Sequence, residues 1–373
     1  MAGIYIHIPF CKKACHYCNF HFSTTHSLLP QMVVSIVKEI GFHRSYLTEN
    51  ISTIYFGGGT PSLCTKHEIQ SILSEIKSVF TVNEDAEITL ESNPDDITEE
   101  KLIDWKTNGI NRLSIGVQSF LEDDLRWMNR AHSASQAVRS IQLAQQHGFN
   151  NITIDLIYGT PTLTDEQWYE NVQKAIALNV PHLSCYALTV EPKTALDKMI
   201  QLHKIENVDA EKQARHFELL MGWLADAGYD HYEISNFAKP GHRSKHNSSY
   251  WQGKPYLGLG PSAHSFNGNS RQWNVANNAL YLVSIQQNAV PFEVEHLTLT
   301  QQLNEYIMTS LRTMEGLSLL HVGQVWGNDI AAIILQLSHQ FVHANLMFLQ
   351  DEKLQLTIAG KLLADGIAAD LFQ

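Results

Sequence analysis

Three cysteines lie within eight residues near the start of the chain, in the spacing Cys11-Lys-Lys-Ala-Cys15-His-Tyr-Cys18. Thiolates this close together are typical ligands of a metal ion or an iron–sulfur cluster. Zinc would need a fourth ligand, which His16 or His21 could supply. A [4Fe–4S] cube normally takes four thiolates, so three leave one iron open to another ligand. The spacing favours the cube, because zinc knuckles repeat their cysteine pairs further along the chain.

Glycine and acidic residues follow or interrupt three later strand-like segments. Glycines in Gly57-Gly58-Gly59-Thr60-Pro61 would let the backbone approach a ligand closely, although a tight turn alone would also use them. Glu91 ends the next such segment. Asp155 interrupts an apolar run, where a buried carboxylate needs either a structural cation or several donors from a ligand.

Strand-like and helix-like segments alternate over the first 190 residues and must position these side chains. The predicted strands are 4–9, 52–57, 87–92, 112–118, 151–158 and 182–189. The predicted helices are 27–43, 66–79, 99–107, 134–147 and 165–179. This alternation predicts a parallel α/β sheet, either doubly wound or a partial barrel, with its site at the carboxyl ends of the strands. The strands are predicted to be apolar on both faces.

The remainder of the chain has a different character. A helix is predicted at 208–227, and residues 240–278, rich in Gly, Ser, Asn, His and aromatic residues, are predicted to be loop-dominated. Residues 299–373 are predicted to be helical, with a strand-like alternation at 353–357 and a last helix at about 358–371. We therefore expect a small α-rich, winged-helix-like domain at the C-terminal end.

Composition excludes several classes of protein. The 373 residues are 44% hydrophobic, which is typical of a globular chain, and 26 basic against 38 acidic residues give a net charge of −12. This acidic balance argues against a dedicated nucleic-acid binder. Neither a long apolar run nor a secretory signal is found, so we expect a cytoplasmic protein with reduced cysteines.

The CxxxCxxC motif after the first of six strand–helix units resembles the radical S-adenosylmethionine (SAM) family. The resemblance implies a partial (β/α)6 TIM-type barrel, in which Cys11, Cys15 and Cys18 hold a [4Fe–4S] cluster. It also implies that the open iron binds SAM, which an electron cleaves to methionine and a 5′-deoxyadenosyl radical. The residues that match the family's SAM-binding positions are Tyr5, Tyr17, Gly58, Gly59, Thr60, Glu91, Gln118, Arg130 and Asp155.

The whole chain resembles the radical SAM group that contains the oxygen-independent coproporphyrinogen III oxidases, or dehydrogenases, and a branch of heme chaperones. The group motifs are Tyr-Ile-His-Ile-Pro-Phe-Cys at 5–11 and Gly-Gly-Gly-Thr-Pro at 57–61. The oxidases have a further cysteine where this chain has Phe20, as the chaperone branch does. A His-Asn-x-x-Tyr-Trp motif, typical of the chaperone branch, is found at 246–251.

This second motif has the chemistry to contact heme. Imidazole is a good axial ligand for heme iron, and aromatic side chains offer flat apolar surface to a porphyrin. The candidates are therefore His246, Tyr250 and Trp251, with His242 or His264 as alternative ligands. Alternatively, the motif binds no heme and belongs to a loop that simply packs over the barrel mouth.

The resemblance implies a heme chaperone that binds heme and a SAM-ligated cluster and transfers heme to acceptor apoproteins. The alternative is oxidative decarboxylation of coproporphyrinogen III, and whether the chain acts as an enzyme stays open. The expected partners are heme, its acceptors and a reductant such as flavodoxin or ferredoxin, with no nucleic acid and with peripheral membrane contact left open. The expected regions are a barrel over 1–235, a loop-rich segment contacting heme or substrate over 236–295, and the winged-helix-like domain over 296–373.

Overall fold

Six parallel strands form the centre of the fold in a computed structural model that describes residues 2–373. They are β1 (Ala2–Ile8), β2 (Ile51–Gly58), β3 (Val82–Ser92), β4 (Arg112–Gln118), β5 (Ile152–Tyr158) and β6 (His182–Ala187). Each pairs in parallel with the next, in chain order. The six predicted strands and their parallel arrangement are confirmed.

Seven helices follow these strands, and five of them match the helices predicted at 27–43, 66–79, 99–107, 134–147 and 165–179. The seven are α1 (Leu29–Phe42), α2 (Lys66–Val79), α3 (Glu99–Thr107), α4 (Glu122–Trp127), α5 (Ala134–Gln146), α6 (Asp165–Ala177) and α7 (Ala195–Gln201), with short 3-10 helices at His26–Leu28, Pro61–Leu63 and Pro94–Asp96. Side-chain caps fix several starts, because Thr65, Ser133 and Thr164 each form a capping box.

Only one face of the central strands is apolar, so the prediction of two apolar faces was wrong. Neighbouring side chains along a strand point to opposite sides. On β1, Ile4, Ile6 and Ile8 are fully buried in the main hydrophobic core. The alternate positions of the other strands carry polar residues that line an internal lumen, such as Tyr55, Glu91, Ser114, Thr153, Asp155 and Ser184. This polar lumen is where a polar ligand can be held.

Further strands extend the sheet at both edges. After α8 (Ala210–Asp226), the hairpin of β7 (Asp230–Glu233) and β8 (Asn236–Ala238) pairs antiparallel with β6. The later elements are α9 (Lys245–Trp251), β9 (Tyr256–Leu259), β10 (His264–Phe266), β11 (Ser270–Asn274), α10 (Asn278–Gln286) and β12 (Phe292–His296). The strand β9 pairs in parallel with β1, and the sheet then continues antiparallel.

The expectation of a loop-dominated stretch over 240–278 was therefore wrong. This stretch holds α9 and the three strands β9, β10 and β11. Strands of three to five residues are too short to show a period of two in the sequence. The strand β9 forms because β1 offers it a free edge, which is a non-local contact, and β10 and β11 then pair in succession.

The C-terminal region has a hydrophobic core of its own, around Leu303, Ile307, Ile334 and Leu354. Its elements are α11 (Leu299–Leu311), β13 (Leu317–Ser318), α12 (Leu319–Trp326), α13 (Asn328–His343), β14 (Met347–Gln350), β15 (Lys353–Leu356), α14 (Ile358–Lys361) and α15 (Ala364–Asp370). The strands form a small antiparallel sheet in the order β13-β15-β14. Across residues 2–373, no helix has the length and apolar character needed to cross a membrane.

Candidate cluster and cofactor site

A cavity of about 400 Å³ opens at the carboxyl ends of the central strands. Loops after β1, β2, β3 and β4 reach it, and β5 and β6 contribute lumen residues. Eleven of the predicted cluster and SAM residues line it: Cys11, Cys15, Tyr17, Cys18, Gly58, Gly59, Thr60, Glu91, Gln118, Arg130 and Asp155. Residues far apart in the chain thus come together as the parallel topology predicts.

The three clustered thiols are half-buried on the loop after β1, and none of them forms a disulfide. Backbone contacts hold this loop, since the Cys11 amide donates to the Ser23 carbonyl at 3.0 Å and the His26 ring contacts the Cys11 carbonyl at 2.7 Å. Burial raises the pKa of the Cys11 thiol to about 11 and that of Cys18 above its usual value. A bound metal would stabilise the thiolates against this burial, which fits a cluster-binding loop.

The two histidines considered for a zinc site have other partners. The His16 Nδ1 atom is 2.8 Å from the Trp127 carbonyl oxygen, and the His21 Nε2 atom is 2.7 Å from the Asn278 side-chain oxygen. Within residues 2–373, no three His, Cys, Asp or Glu side chains are close enough to share one metal ion. The same holds for the three cysteine thiols, so the preference for a cube held at three corners rests on the cysteine spacing and on the open cavity beside them.

Close contacts require glycine at two positions where β2 ends. A Cβ on Gly58, whose φ is +105°, would lie 2.6 Å from the His7 ring. A Cβ on Gly59 would lie 2.6 Å from the Phe10 carbonyl oxygen and 2.8 Å from that of Ile8. Because Ile8 and Phe10 lead directly into the cysteine loop, this glycine turn packs against the backbone that carries Cys11.

Two carboxyl groups face the cavity with raised pKa values. Burial raises the pKa of Glu91 to about 8, and the nearby charge of Asp155 adds to the rise, whereas a hydrogen bond from Tyr55 opposes it. Burial raises the pKa of Asp155 to about 6, against the positive charges of Arg130 and Arg112. Carboxyls poised in this way can accept an ammonium group or hydroxyl donors from a ligand.

The guanidinium of Arg130 connects the cysteine loop to β3 and β4. It donates to the Cys15 Sγ atom at 3.3 Å and, at 2.7 Å, to both the Asn93 side chain and the Gly116 carbonyl. Gln118, at the end of β4, has a φ of +66°, which is uncommon for a residue other than glycine. Strained backbone of this kind often marks a ligand site.

The two predicted SAM-contacting tyrosines have different positions. Tyr17 lines the cavity, whereas Tyr5 does not. The Tyr5 ring instead stacks on Tyr55 with centroids 6.1 Å apart, and its hydroxyl lies 3.2 Å from the His7 Nδ1 atom. Direct contact of Tyr5 with a ligand in this cavity is therefore not favoured, and the structure places Tyr5 behind Tyr55.

The heme candidates lie on α9, which enters the lumen from the side opposite the cavity mouth. His246 is 1% exposed, and its Nδ1 and Nε2 atoms each lie 2.8 Å from a hydroxyl oxygen, of Thr53 and Tyr250 respectively. Burial lowers the His246 pKa to about 3. The Trp251 ring packs under the Arg312 guanidinium. The segment considered as a loop over the barrel mouth is instead a helix at the floor of the lumen. The His246 ring is not available to iron in this arrangement.

Several cavity residues were not predicted from the sequence. Tyr55, Arg112, Ser184 and Asn247 line the cavity, and Arg112 is 1% exposed. Its Nε atom makes no hydrogen bond among the described residues but lies 3.7 Å from the Glu87 carboxylate. The alternation along each strand carries a signal for the first two, because Tyr55 and Arg112 lie two positions from Gly57 and Ser114 on the same face. Asn247 belongs to the His-Asn-x-x-Tyr-Trp motif, of which only the His, Tyr and Trp were chosen as candidates.

Comparisons with known proteins agree with this site. Residues 5–175 match the sequence family described as the radical SAM superfamily. The protein named heme chaperone HemW of Bacillus subtilis is 32% identical, with 98% of each chain covered. The protein of that name from Mycobacterium tuberculosis is 31% identical over 99% of this chain and 94% of its own, and that of Escherichia coli is 36% identical over 70% and 69%.

The fold resembles a solved structure over its whole length. The coproporphyrinogen III oxidase HemN of Escherichia coli, described as a radical SAM enzyme, aligns with a TM-score of 0.86 at 24% identity, covering 100% of this chain and 90% of its own. The α/β radical SAM fold with a small C-terminal region is thereby confirmed.

The superfamily match, the fold and the cysteine loop define a radical SAM protein, and the near full-length relatives then place the chain more narrowly: it belongs to the HemW family. Membership of the superfamily implies a [4Fe–4S] cluster and SAM as cofactors. The arrangement of three free thiols at one cavity is consistent with both.

Proposed function

We propose that this chain is a heme chaperone, which holds a SAM-ligated [4Fe–4S] cluster, binds heme and transfers it to acceptor apoproteins. The observation that carries the proposal is the likeness of nearly the whole chain to proteins named heme chaperone HemW. The exposed Phe20, at the position where the oxidases have a cysteine, agrees with this assignment.

Residues of the cavity have separate roles in this proposal. Cys11, Cys15 and Cys18 ligate three irons, and Arg130 balances the charge beside Cys15. A bound cluster supplies an open iron for SAM and an electron, donated by a reductant such as flavodoxin or ferredoxin. Glu91 and Asp155 face the positions where the SAM amino and ribose hydroxyl groups would be recognised.

The other SAM contacts follow from the walls of the cavity. The turn at Gly58, Gly59 and Thr60 offers backbone groups to the methionine end, and Gln118 faces the same space. Tyr17 offers an aromatic face for the adenine. Tyr5 is assigned to this site only through Tyr55, on which it stacks.

Heme binding remains assigned to the α9 motif, with one requirement. Coordination by His246 needs its hydrogen bonds to Thr53 and Tyr250 to break and its ring to leave the lumen. His264 is exposed and stacks against Trp273 with centroids 6.1 Å apart, so it is the accessible alternative ligand. Tyr250 and Trp251 would then contact the porphyrin only if α9 moves.

The ligand assignment is tested by hemin titration of reconstituted protein. We expect the Soret band to change position, or its intensity to fall at least fivefold, in His246→Ala. His264→Ala tests the competing ligand, and His67→Ala, at an exposed position, is the control. A band unchanged in His246→Ala but lost in His264→Ala would move the ligand to β10. SAM binding by each variant reports whether the barrel is intact.

The chaperone activity is tested by transfer. Hemin-loaded protein is mixed with a heme-free acceptor hemoprotein, and the acceptor's Soret spectrum is recorded after the two proteins are separated. We expect transfer faster than from free hemin at the same concentration. The proposal fails if the protein binds no hemin, or if coproporphyrinogen III with SAM and a reductant yields protoporphyrinogen.

A further inference from the structure

The ring of Tyr55 is held between two other rings in the lumen. It stacks on Tyr5 with centroids 6.1 Å apart and on His246 with centroids 4.9 Å apart, at interplanar angles of 25° and 22°. Parallel strand register explains the first contact, because Tyr5 and Tyr55 are directly paired between β1 and β2. An aromatic ring fixed on both faces has little freedom to move.

The hydroxyl of this fixed ring reaches Glu91. Tyr55 donates to the Glu91 Oε1 atom at 2.8 Å. Gly57 leaves the space in which these groups meet, since a Cβ there would lie 2.8 Å from the Tyr5 ring, 3.0 Å from the Tyr55 ring and 3.2 Å from Glu91 Oε1. The carboxylate is thus oriented in part by a side-chain donor whose position depends on the packing below it.

The helix α9 provides that packing and is itself anchored. The amides of Lys245 and His246, in its first turn, donate to the Glu87 carboxylate at 3.1 and 3.0 Å. Thr53 lies 2.8 Å from the His246 Nδ1 atom. Gly3 has no side chain, and a Cβ there would lie 2.8 Å from Thr53 Oγ1 and 3.4 Å from the His246 ring. The lumen is therefore shaped to hold this imidazole under Tyr55.

We propose that Tyr55 is a positioning residue, which sets the Glu91 carboxylate for SAM and is held in place by α9. This inference rests on the proposed role of Glu91 in SAM binding. It makes α9 part of the SAM site through the ring of His246, which packs under Tyr55, and not only through Asn247, which lines the cavity. Displacement of α9, by any ligand or partner, then weakens SAM binding, and SAM in turn stabilises α9 in the lumen.

The test measures SAM affinity in reconstituted holoprotein by equilibrium dialysis. Tyr55→Phe keeps the ring and removes only the hydroxyl, and we expect SAM to bind about tenfold more weakly, the effect of one hydrogen bond to a charged group. Tyr281→Phe is the matched control, because Tyr281 donates at 2.6 Å to the buried carboxylate of Glu39, which does not line the cavity. That control should bind SAM as the wild type does.

A double-mutant cycle separates positioning from general loosening. In a Glu91→Gln background, Tyr55→Phe should change SAM affinity less than twofold, because the group that it positions is no longer a carboxylate. Tyr250→Phe, which frees the His246 Nε2 atom, should weaken SAM binding two- to threefold in the wild type and not in Tyr55→Phe.

Three outcomes of these affinity measurements would overturn the proposal. Wild-type affinity in Tyr55→Phe, with a clear loss in Glu91→Gln, overturns the positioning role and leaves the SAM site standing. Unchanged affinity in Glu91→Gln overturns the assignment of Glu91, and this inference with it. A loss in Tyr55→Phe that persists in full in the Glu91→Gln background means that the effect is structural and also overturns the proposal.

Discussion

At the scale of single residues, the cavity holds two carboxyl groups, Glu91 and Asp155, that burial keeps partly protonated. A carboxyl whose pKa is raised by folding binds its proton more tightly in the folded than in the unfolded chain. Stability therefore falls as pH rises from the unfolded pKa to the folded one. For Glu91 this window runs from about 4.5 to about 8. The free-energy cost of ionising the two carboxyls favours ligands that neutralise their charge.

The first prediction concerns Glu91 in cluster-free protein. Between pH 5.5 and 8, the wild type should lose about 2 kcal/mol more unfolding free energy than Glu91→Gln, since the half-buried carboxyl must ionise next to the cavity. Urea denaturation at the two pH values measures this difference. Glu84→Gln, exposed on the same strand β3, should follow the wild type, and identical pH profiles for all three proteins would contradict the shift.

The sequence identified the candidate cluster and SAM residues, eleven of which line the cavity, but not how these residues support one another. The cysteine spacing and the acids at strand ends follow from local patterns, and the structure gathers them at one mouth. His246 was expected in a loop and is instead buried on α9, because a motif gives residue types and not their burial. Tyr55 was overlooked because an aromatic residue in a strand is ordinary, and only its register with Tyr5 and its hydrogen bond to Glu91 show its use.

At the scale of elements, the turn after β2 and the cysteine loop after β1 are packed backbone against backbone. A Cβ on Gly59 would meet main-chain atoms of Ile8 and Phe10, which cannot move without shifting the loop that carries Cys11. The glycine motif therefore packs against the loop of the proposed cluster ligands and also lines the cavity.

The second prediction follows from this contact. Gly59→Ala should reduce the iron bound per chain after anaerobic reconstitution by half or more, although no ligand is changed, and should cost about 1–3 kcal/mol of stability. Gly41→Ala is the control, since its Cβ would meet nothing within 4 Å and alanine favours the helix α1. Full iron content in Gly59→Ala would show that the two loops are independent.

The long regular elements were predictable and the short ones were not. Helices such as α2 and α6 have both an amphipathic period and a capping box. The strands β9, β10 and β11 have neither, and they exist because β1 and then each other supply hydrogen-bond partners. Pairing between residues some 250 positions apart leaves no trace in a local window.

At the scale of the whole molecule, Arg312 joins the C-terminal region to the barrel. It follows α11, lies over the Trp251 ring at 5.1 Å and donates to Asp365 at 3.0 Å. It is also 4.0 Å from the buried carboxylate of Glu233, whose pKa burial raises and Arg312 lowers. Contacts between the two regions therefore reach α9 and, through it, the floor of the SAM cavity.

The third prediction tests this connection. Arg312→Ala should lower the unfolding free energy by about 2 kcal/mol, because it leaves the Glu233 carboxylate buried without its cation. Arg126→Ala removes an exposed pair with Asp123 and should change stability by less than about 0.5 kcal/mol. Thermal and urea unfolding measure the stability of both variants. Equal effects of the two substitutions would contradict a structural role for Arg312 between the C-terminal region and the barrel.

The measurement that tests the account most directly is Mössbauer spectroscopy of anaerobically reconstituted, iron-57-labelled protein, with and without SAM. The account predicts one [4Fe–4S] cube per chain, one iron of which changes its spectrum when SAM is added, and no cube when Cys11, Cys15 and Cys18 are all replaced by alanine. Absence of a cube in the wild type, or a cube undiminished in the triple variant, would contradict it.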